Sequence, residues 1–432
     1  MVSRREFIKN FSASALFLFP LSLAGRTIQG VKKMVNPKFN EMQEKEFWKK
    51  VRQEFMLDPQ MSFFNTGTLG AMPRRVFERT VNHLRLTAEK IAEWDYYGAD
   101  WISGYQPWTE IRQKAARLIN CDVKELALTE NATAGMNYIS NGLDLKAGDE
   151  VLGTDQEHPG GECGWKLAAK RHGVVYRQLH LGKPIKSPEE VIETFFKAMG
   201  PKTRVMAIPH LITGSGAILP VKEICAEARQ RRIFTVIDGA QTVGHIKVDV
   251  KDIGCDAYYG SFHKWLCAPA GNGFLYLRKE KASEVWTTLA SAQWDNHDDH
   301  GYRLSQRGTG NLSLLMGLDE ALNFHFELGP ERVYARIKAL GDYLRTRLQE
   351  VPGIKIFTPL HPQMAAGISV YNIEGLTGNF IQDELWKRAK IRPRSMGEVY
   401  GVRQSTHIYN SIEELDRTIA ILKEIAHLNK AK

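Results

Sequence analysis

A lysine closes one apolar, aromatic run of this chain, Tyr258-Tyr259-Gly260-Ser261-Phe262-His263-Lys264-Trp265. About one helix and one strand upstream, an aspartate closes another, Ile237-Asp238-Gly239-Ala240-Gln241. Most lysines are solvated surface charges, so one at the end of an apolar strand, flanked by Ser and His, has a chemical use. A buried amine can form a Schiff base with an aldehyde. A carboxylate at a neighbouring strand end can pair with a protonated ring nitrogen. Together these are the demands of pyridoxal phosphate, with Lys264 closing the imine and Asp238 keeping the ring an electron sink. Desolvation should depress the Lys264 pKa, as imine chemistry needs. Gly239 and Ala240 let a flat ring approach, and Gln241 is placed to hydrogen-bond the ring oxygen.

The phosphate dianion needs backbone N–H groups at a helix N-terminus, with hydroxyls beside them. Thr129-Glu130-Asn131-Ala132-Thr133-Ala134-Gly135 stands where a strand gives way to a helix. Ala132 and Thr133 offer backbone donors there, and Thr133 a hydroxyl. Ser261 and His263 can reach the same group. An Asn-Thr helix start is common in its own right, so this motif draws its weight from the others. His158, in Asp155-Gln156-Glu157-His158-Pro159, follows a strand and can stack on the ring face.

These loops need strands that end together. From Ile111 onward, short apolar runs alternate with helical patterns. Residues 127–129, 150–152, 174–179, 205–209 and 234–237 read as strands. Residues 134–143, 165–171 and 221–231 read as the helices between them. That rhythm argues for a mostly parallel sheet covered on both faces. Ligands in such sheets sit at the carboxyl ends of the strands, where each motif above falls. After about Asn311 the pattern becomes that of a smaller α+β lobe, closed by a helix over 412–429. The chain of 432 residues is long enough for both.

The first 25 residues resemble a twin-arginine export signal. Arg4-Arg5 precedes Phe7-Ile8-Lys9, and a moderately apolar stretch ends in Ser22-Leu23-Ala24. It is too short and weak for a stable membrane span. The expected location is therefore periplasmic or secreted, reached through the twin-arginine machinery. The formal net charge of +9 includes +2 from those residues, and the remaining basic residues are scattered, so no nucleic-acid footprint is expected. The five cysteines form no Cys-x-x-Cys pair, which argues against a zinc site or a disulfide scaffold. No Gly-x-Gly-x-x-Gly opens the first βα unit, which argues against a dinucleotide enzyme.

The run from Asp238 to Leu277 resembles the signature of the class V aminotransferase family. Asp238–Gln241, then Ser261, His263 and Lys264, then a Gly-rich entry at Gly271–Leu277 match its pattern. Asn131-Ala132-Thr133 with Asn137, Glu157-His158, Arg307-Gly308-Thr309 and Arg403–Asn410 extend the match over roughly residues 60–430. The resemblance implies an α/β pyridoxal phosphate transferase fold, aspartate aminotransferase-like. Its large domain has a mostly parallel seven-stranded sheet, beside a smaller α+β domain. The expected divisions are 1–25 signal, 26–60 linker and N-terminal segment packing on the small domain, 61–311 large domain and 312–432 small domain. The resemblance also implies roles. Lys264 moves the Cα proton, Asp238 holds the pyridine nitrogen, Gln241 meets the ring oxygen and His158 stacks. Asn131, Ala132, Thr133, Ser261 and His263 hold the phosphate. Thr309 would reach the partner subunit's phosphate, which implies a homodimer with shared sites. Arg394 matches the arginine that clamps a substrate α-carboxylate, with Arg403 and Arg392 as rivals and Asn65 nearby.

The family includes cysteine desulfurases, kynureninases and isopenicillin N epimerase-like proteins. Cysteine desulfurases carry a nucleophilic Cys shortly after that arginine, and Ser395–Tyr400 contains none. The pattern is closer to the epimerase-like branch, which implies an epimerase or racemase. A C–S lyase and an aminotransferase are the alternatives within the family. A non-catalytic cofactor-binding accessory protein is the alternative outside enzymes; it predicts a missing Lys or Asp, and both are present.

Overall fold

The structure is a computed structural model that describes residues 41–93 and 108–430. The expected export signal, and the part of the expected linker before residue 41, lie outside the described residues. Residues 1–50 form one unit and residues 51–432 another; everything below concerns the second.

The strands in chain order are β1 (Ser62–Phe63), β2 (Leu126–Thr129), β3 (Glu150–Thr154), β4 (Val175–Leu179), β5 (Thr203–Pro209), β6 (Phe234–Asp238) and β7 (Ala257–Ser261). They continue with β8 (Gly273–Leu277), β9 (Ile354–Ile356), β10 (Ile368–Ile373), β11 (Ile391–Arg392), β12 (Arg394–Ser395) and β13 (Val402–Ser405). Seven of them form one sheet in the order β2-β8-β7-β6-β5-β3-β4. Strands β4, β3, β5, β6 and β7 pair in parallel, and β8 runs against both of its neighbours. This is the mostly parallel seven-stranded sheet the sequence led us to expect. A four-stranded antiparallel sheet, β12-β13-β10-β9, and a parallel pair, β1-β11, make up the rest.

The central strands are buried along their whole length because helices cover both faces. Successive residues therefore feed two separate cores. Ile237, Tyr258 and Phe274 point into one, while Val236, Tyr259 and Leu275 point into the other. Each such side chain taken out of water contributes about 1.5–3 kcal/mol. The helices Thr109–Ile119 and Val221–Gln230 seal the first core; Ala132–Gly142 and Pro159–His172 seal the second. A third core, with Leu340, Leu344, Tyr371, Ile381 and Ile419, supports the smaller sheet.

One expected boundary does not match the packing. The helix Leu312–Leu328 was assigned with the small lobe, yet Leu312, Leu315, Leu318, Ala321 and Leu322 belong to the first core of the large sheet. All five cysteines are free thiols, and Cys163 alone is exposed. No described helix is long and apolar enough to cross a membrane.

Candidate active site

Five parallel strands deliver the cavity's residues from their carboxyl ends. β2 leads to Asn131, β3 to His158, β5 to Thr213, β6 ends on Asp238, and β7 leads to His263 and Lys264. These residues border one cavity of about 290 Å³, with Thr68 and Arg394 closing another side. The sequence-expected Ala132, Thr133, Gln241 and Ser261 border it too.

Burial pushes the Lys264 amine down to about 8, and Asp238 opposes that shift less strongly than burial drives it. Arg403 and Arg394 push in the same direction as burial. Asp238 is 8% exposed, and burial raises its carboxyl above the usual range. Ala240 N–H donates to Asp238 Oδ1 at 2.8 Å and offsets part of that cost. Acid and amine thus border one cavity, each biased by burial toward its neutral form.

The helix Ala132–Gly142 begins at the cavity. Asn131 caps it, its Oδ1 accepting from Ala134 N–H at 2.9 Å. Ala132 N–H donates to Ser261 Oγ at 2.9 Å, which fixes that hydroxyl beside the helix start. His263 Nδ1 is buried with no hydrogen-bond partner in the protein. Burial, then Lys264, lowers the His263 pKa to about 4, so the ring stays neutral. His158 caps the helix Pro159–His172, its Nδ1 accepting from Gly160 N–H at 3.0 Å. That bond occupies Nδ1 and fixes the imidazole beside the cavity.

Gln241 departs from its expected role. Its amide donates to Gly67 O at 2.8 Å and to Thr213 Oγ1 at 3.1 Å, and its oxygen accepts from Trp265 Nε1 at 2.8 Å. Both amide hydrogens are therefore engaged by the protein in this arrangement. Thr309 is exposed and does not border this chain's own cavity. Asn65 stands behind the wall, accepting from Thr68 Oγ1 and from Arg403 Nη2. Arg403 is 1% exposed and also donates to Thr213 Oγ1 at 2.7 Å. Burial, reinforced by Arg394, lowers its pKa to about 9. Arg392 lies over the Trp386 ring instead, which removes it from the rivalry for the substrate.

Several contributors escaped the sequence reading. Gly161 forms a wall with no side chain, where a Cβ would stand 2.8 Å from Asp238 Oδ2. The pair Gly160-Gly161, at the start of a helix that follows a strand-end His, was the available signal. Thr213 lies in the loop after β5, and strand order alone marks that loop. Glu157 accepts from Thr154 N–H and Oγ1, and burial followed by Asp238 raises its carboxyl well above the usual range.

These residues fit pyridoxal phosphate. The glycine wall leaves room for a flat ring between His158 and Asp238. His263 and the helix start both border the cavity, and Lys264 supplies the amine.

The family model described as aminotransferase class V matches residues 70–418. The isopenicillin N epimerase of Streptomyces clavuligerus is 34% identical over 391 residues, covering 86% of this chain and 96% of that protein. A probable cysteine desulfurase of Xylella fastidiosa is 27% identical over 411 residues, covering 88% and 96% respectively. Among solved structures, a complex of the cystine C–S lyase C-DES with its product cysteine persulfide superposes with a TM-score of 0.76 at 26% identity. That match covers 85% of this chain and 98% of the other. The Lys–Asp cavity at the strand ends and these matches agree: the chain belongs to the class V aminotransferase family and is a pyridoxal phosphate-dependent enzyme.

Proposed function

We propose that this enzyme acts at Cα of an amino acid and inverts that carbon, as an epimerase or racemase. The observation that carries the reading is Lys264 and Asp238 on one cavity at the strand ends, with a cationic side close by. The bound cofactor supplies an electron sink that acidifies the Cα–H bond. Asp238 holds the ring nitrogen protonated, and its burial strengthens that pairing. Lys264 Nζ would exchange the Cα proton on its own face of the substrate, and a pKa of about 8 suits an amine that must give and take near neutral pH; inversion further requires that the proton return on the opposite face. His158 would lie against the ring face. Thr133, Ser261, His263 and the helix start hold the phosphate.

The 34% identical epimerase favours inversion over the other outcomes at Cα. No cysteine borders the cavity among the described residues, which weighs against a persulfide route through this chain. The C–S lyase neighbour keeps lyase activity as the second reading. The test is a panel of amino acids incubated with holoenzyme in D₂O. Deuterium at Cα with the amine retained is expected. Keto-acid release would mark a transaminase, and ammonia with a sulfur product a lyase.

A homodimer is part of this proposal. Phe77, Leu84 and Ile91 are 41%, 56% and 49% exposed and recur every seven residues, forming an apolar stripe along the helix Arg74–Lys90 and the turn after it. Trp286 and Trp294, 70% and 52% exposed, add apolar area. Such surface is expected to be covered by a second copy. Sedimentation should give twice the chain mass, and Leu84→Glu should shift the population toward monomer. Export by the twin-arginine route is proposed from Arg4-Arg5. Changing both to lysine should leave the protein in the cytoplasmic fraction; unchanged export would end that proposal.

A further inference from the structure

Arg394 and Arg403 stand directly opposite each other on strands β12 and β13. Like charges in that relation destabilise a sheet. Both guanidinium groups nonetheless converge on one hydroxyl, Thr68 Oγ1, at 3.1 Å from Arg394 Nη1 and 2.8 Å from Arg403 Nη2. The side-chain hydrogen bonds of both end on neutral groups, those of Thr68, Thr213 and Asn65. Two cations are therefore held together, at a cost, with no acid of the protein between them among the described residues.

We propose that the two arginines hold two different acid groups of one substrate, so that the enzyme takes amino acids bearing a second carboxylate. The inference rests on the amino-acid reading above and names its substrate class. One α-carboxylate cancels one guanidinium. Asp238 is aimed at the ring, and the helix start takes the phosphate, so neither neutralises the second arginine. The two differ in depth. Arg403 is 1% exposed behind Thr68 and Thr213, where the group shared by every amino acid belongs. Arg394 borders the cavity and is exposed, where side chains of varied length can reach it. A carboxylate seated against Thr68 and Thr213 gives Arg403 an anionic acceptor in place of neutral hydroxyls, and the distal acid does the same for Arg394.

Calorimetry on the holoenzyme with succinate, glutarate and adipate against butyrate tests this without turnover. The best diacid should bind about tenfold tighter than butyrate, the effect of one charge-assisted pair. Arg394→Gln should bring that ratio to within about twofold. Arg403→Gln should weaken all four ligands and keep the ratio. Should Arg403→Gln fail to fold, the exposed Arg394→Gln decides alone. Equal affinity for diacids and butyrate, or a ratio that survives Arg394→Gln, overturns the proposal. The D₂O panel separates the two levels. Exchange that shows no preference for diacid amino acids removes only the second-acid inference. Exchange with no amino acid at all removes the reading beneath it and this inference together.

Discussion

Lys264→Ala should leave a protein that still takes up pyridoxal phosphate but cannot tether it, with turnover reduced by about 10,000-fold, the upper end for one positioned proton-transfer group. Thr133, Ser261 and the helix start, which we propose hold the phosphate, are untouched by the change, so uptake should persist. What disappears is the only lysine among the described residues that borders the cavity. Borohydride treatment followed by mass spectrometry should fix the cofactor to residue 264 of the natural protein and to no residue of the variant. A cofactor still fixed elsewhere on the variant would sink the assignment. The pKa carries a second expectation. Burial lowers the amine from 10.5 to about 8, and only the unprotonated amine attacks an aldehyde. The rate at which cofactor-free protein captures pyridoxal phosphate should therefore rise as pH climbs through about 8 and level off above it. A lysine with an ordinary pKa would keep rising past pH 10.

The large sheet and most of the cavity wall were legible because both rest on local pattern. Short, largely apolar runs such as Phe234–Asp238 and Ala257–Ser261, set between helical patterns, read as strands covered on both faces, and a polar residue at the end of such a strand falls at the ligand edge. What escaped depends on tertiary competition. The helix Leu312–Leu328 has an apolar stripe that suits either lobe, and only tertiary contact shows that it joins the first core of the large sheet. Gln241 has a side chain of the right length for the ring oxygen. Trp265, from a loop 24 residues on, orients its amide toward Gly67 and Thr213 instead. Gly161 contributes by lacking a side chain, and only its pairing with Gly160 after a strand-end His marks it in the sequence. The rivalry of the arginines could not be resolved from motif order, because depth separates them and β12 and β13 are each too short to show a burial period.

Asp238→Asn should cost activity and raise stability, and the opposition follows from the burial of this carboxylate. In the absence of cofactor, Asp238 is a buried acid whose pKa stands above its ordinary value. The folded protein therefore holds that proton more tightly than the unfolded chain does. Stability from this group is complete below the unfolded pKa near 3.9 and is lost as pH rises through the higher folded value. At neutral pH the ionised carboxylate is a net cost to the cofactor-free fold. An asparagine carries no such cost, and its oxygen can still accept from Ala240 N–H. Cofactor-free Asp238→Asn should thus melt above the natural protein at pH 7, and the gap should close as pH falls toward 4. With cofactor bound the sign reverses. The carboxylate pairs with the protonated ring nitrogen, which a neutral amide cannot do. The variant should keep its cofactor tethered at Lys264 while Cα–H exchange falls by about 100- to 1,000-fold, the effect of losing one preorganised charge contact. Differential scanning calorimetry with and without cofactor, set beside the exchange rate, reads both halves. A variant that melts lower in both forms would make Asp238 a structural residue, and the ring-nitrogen assignment would fall with it.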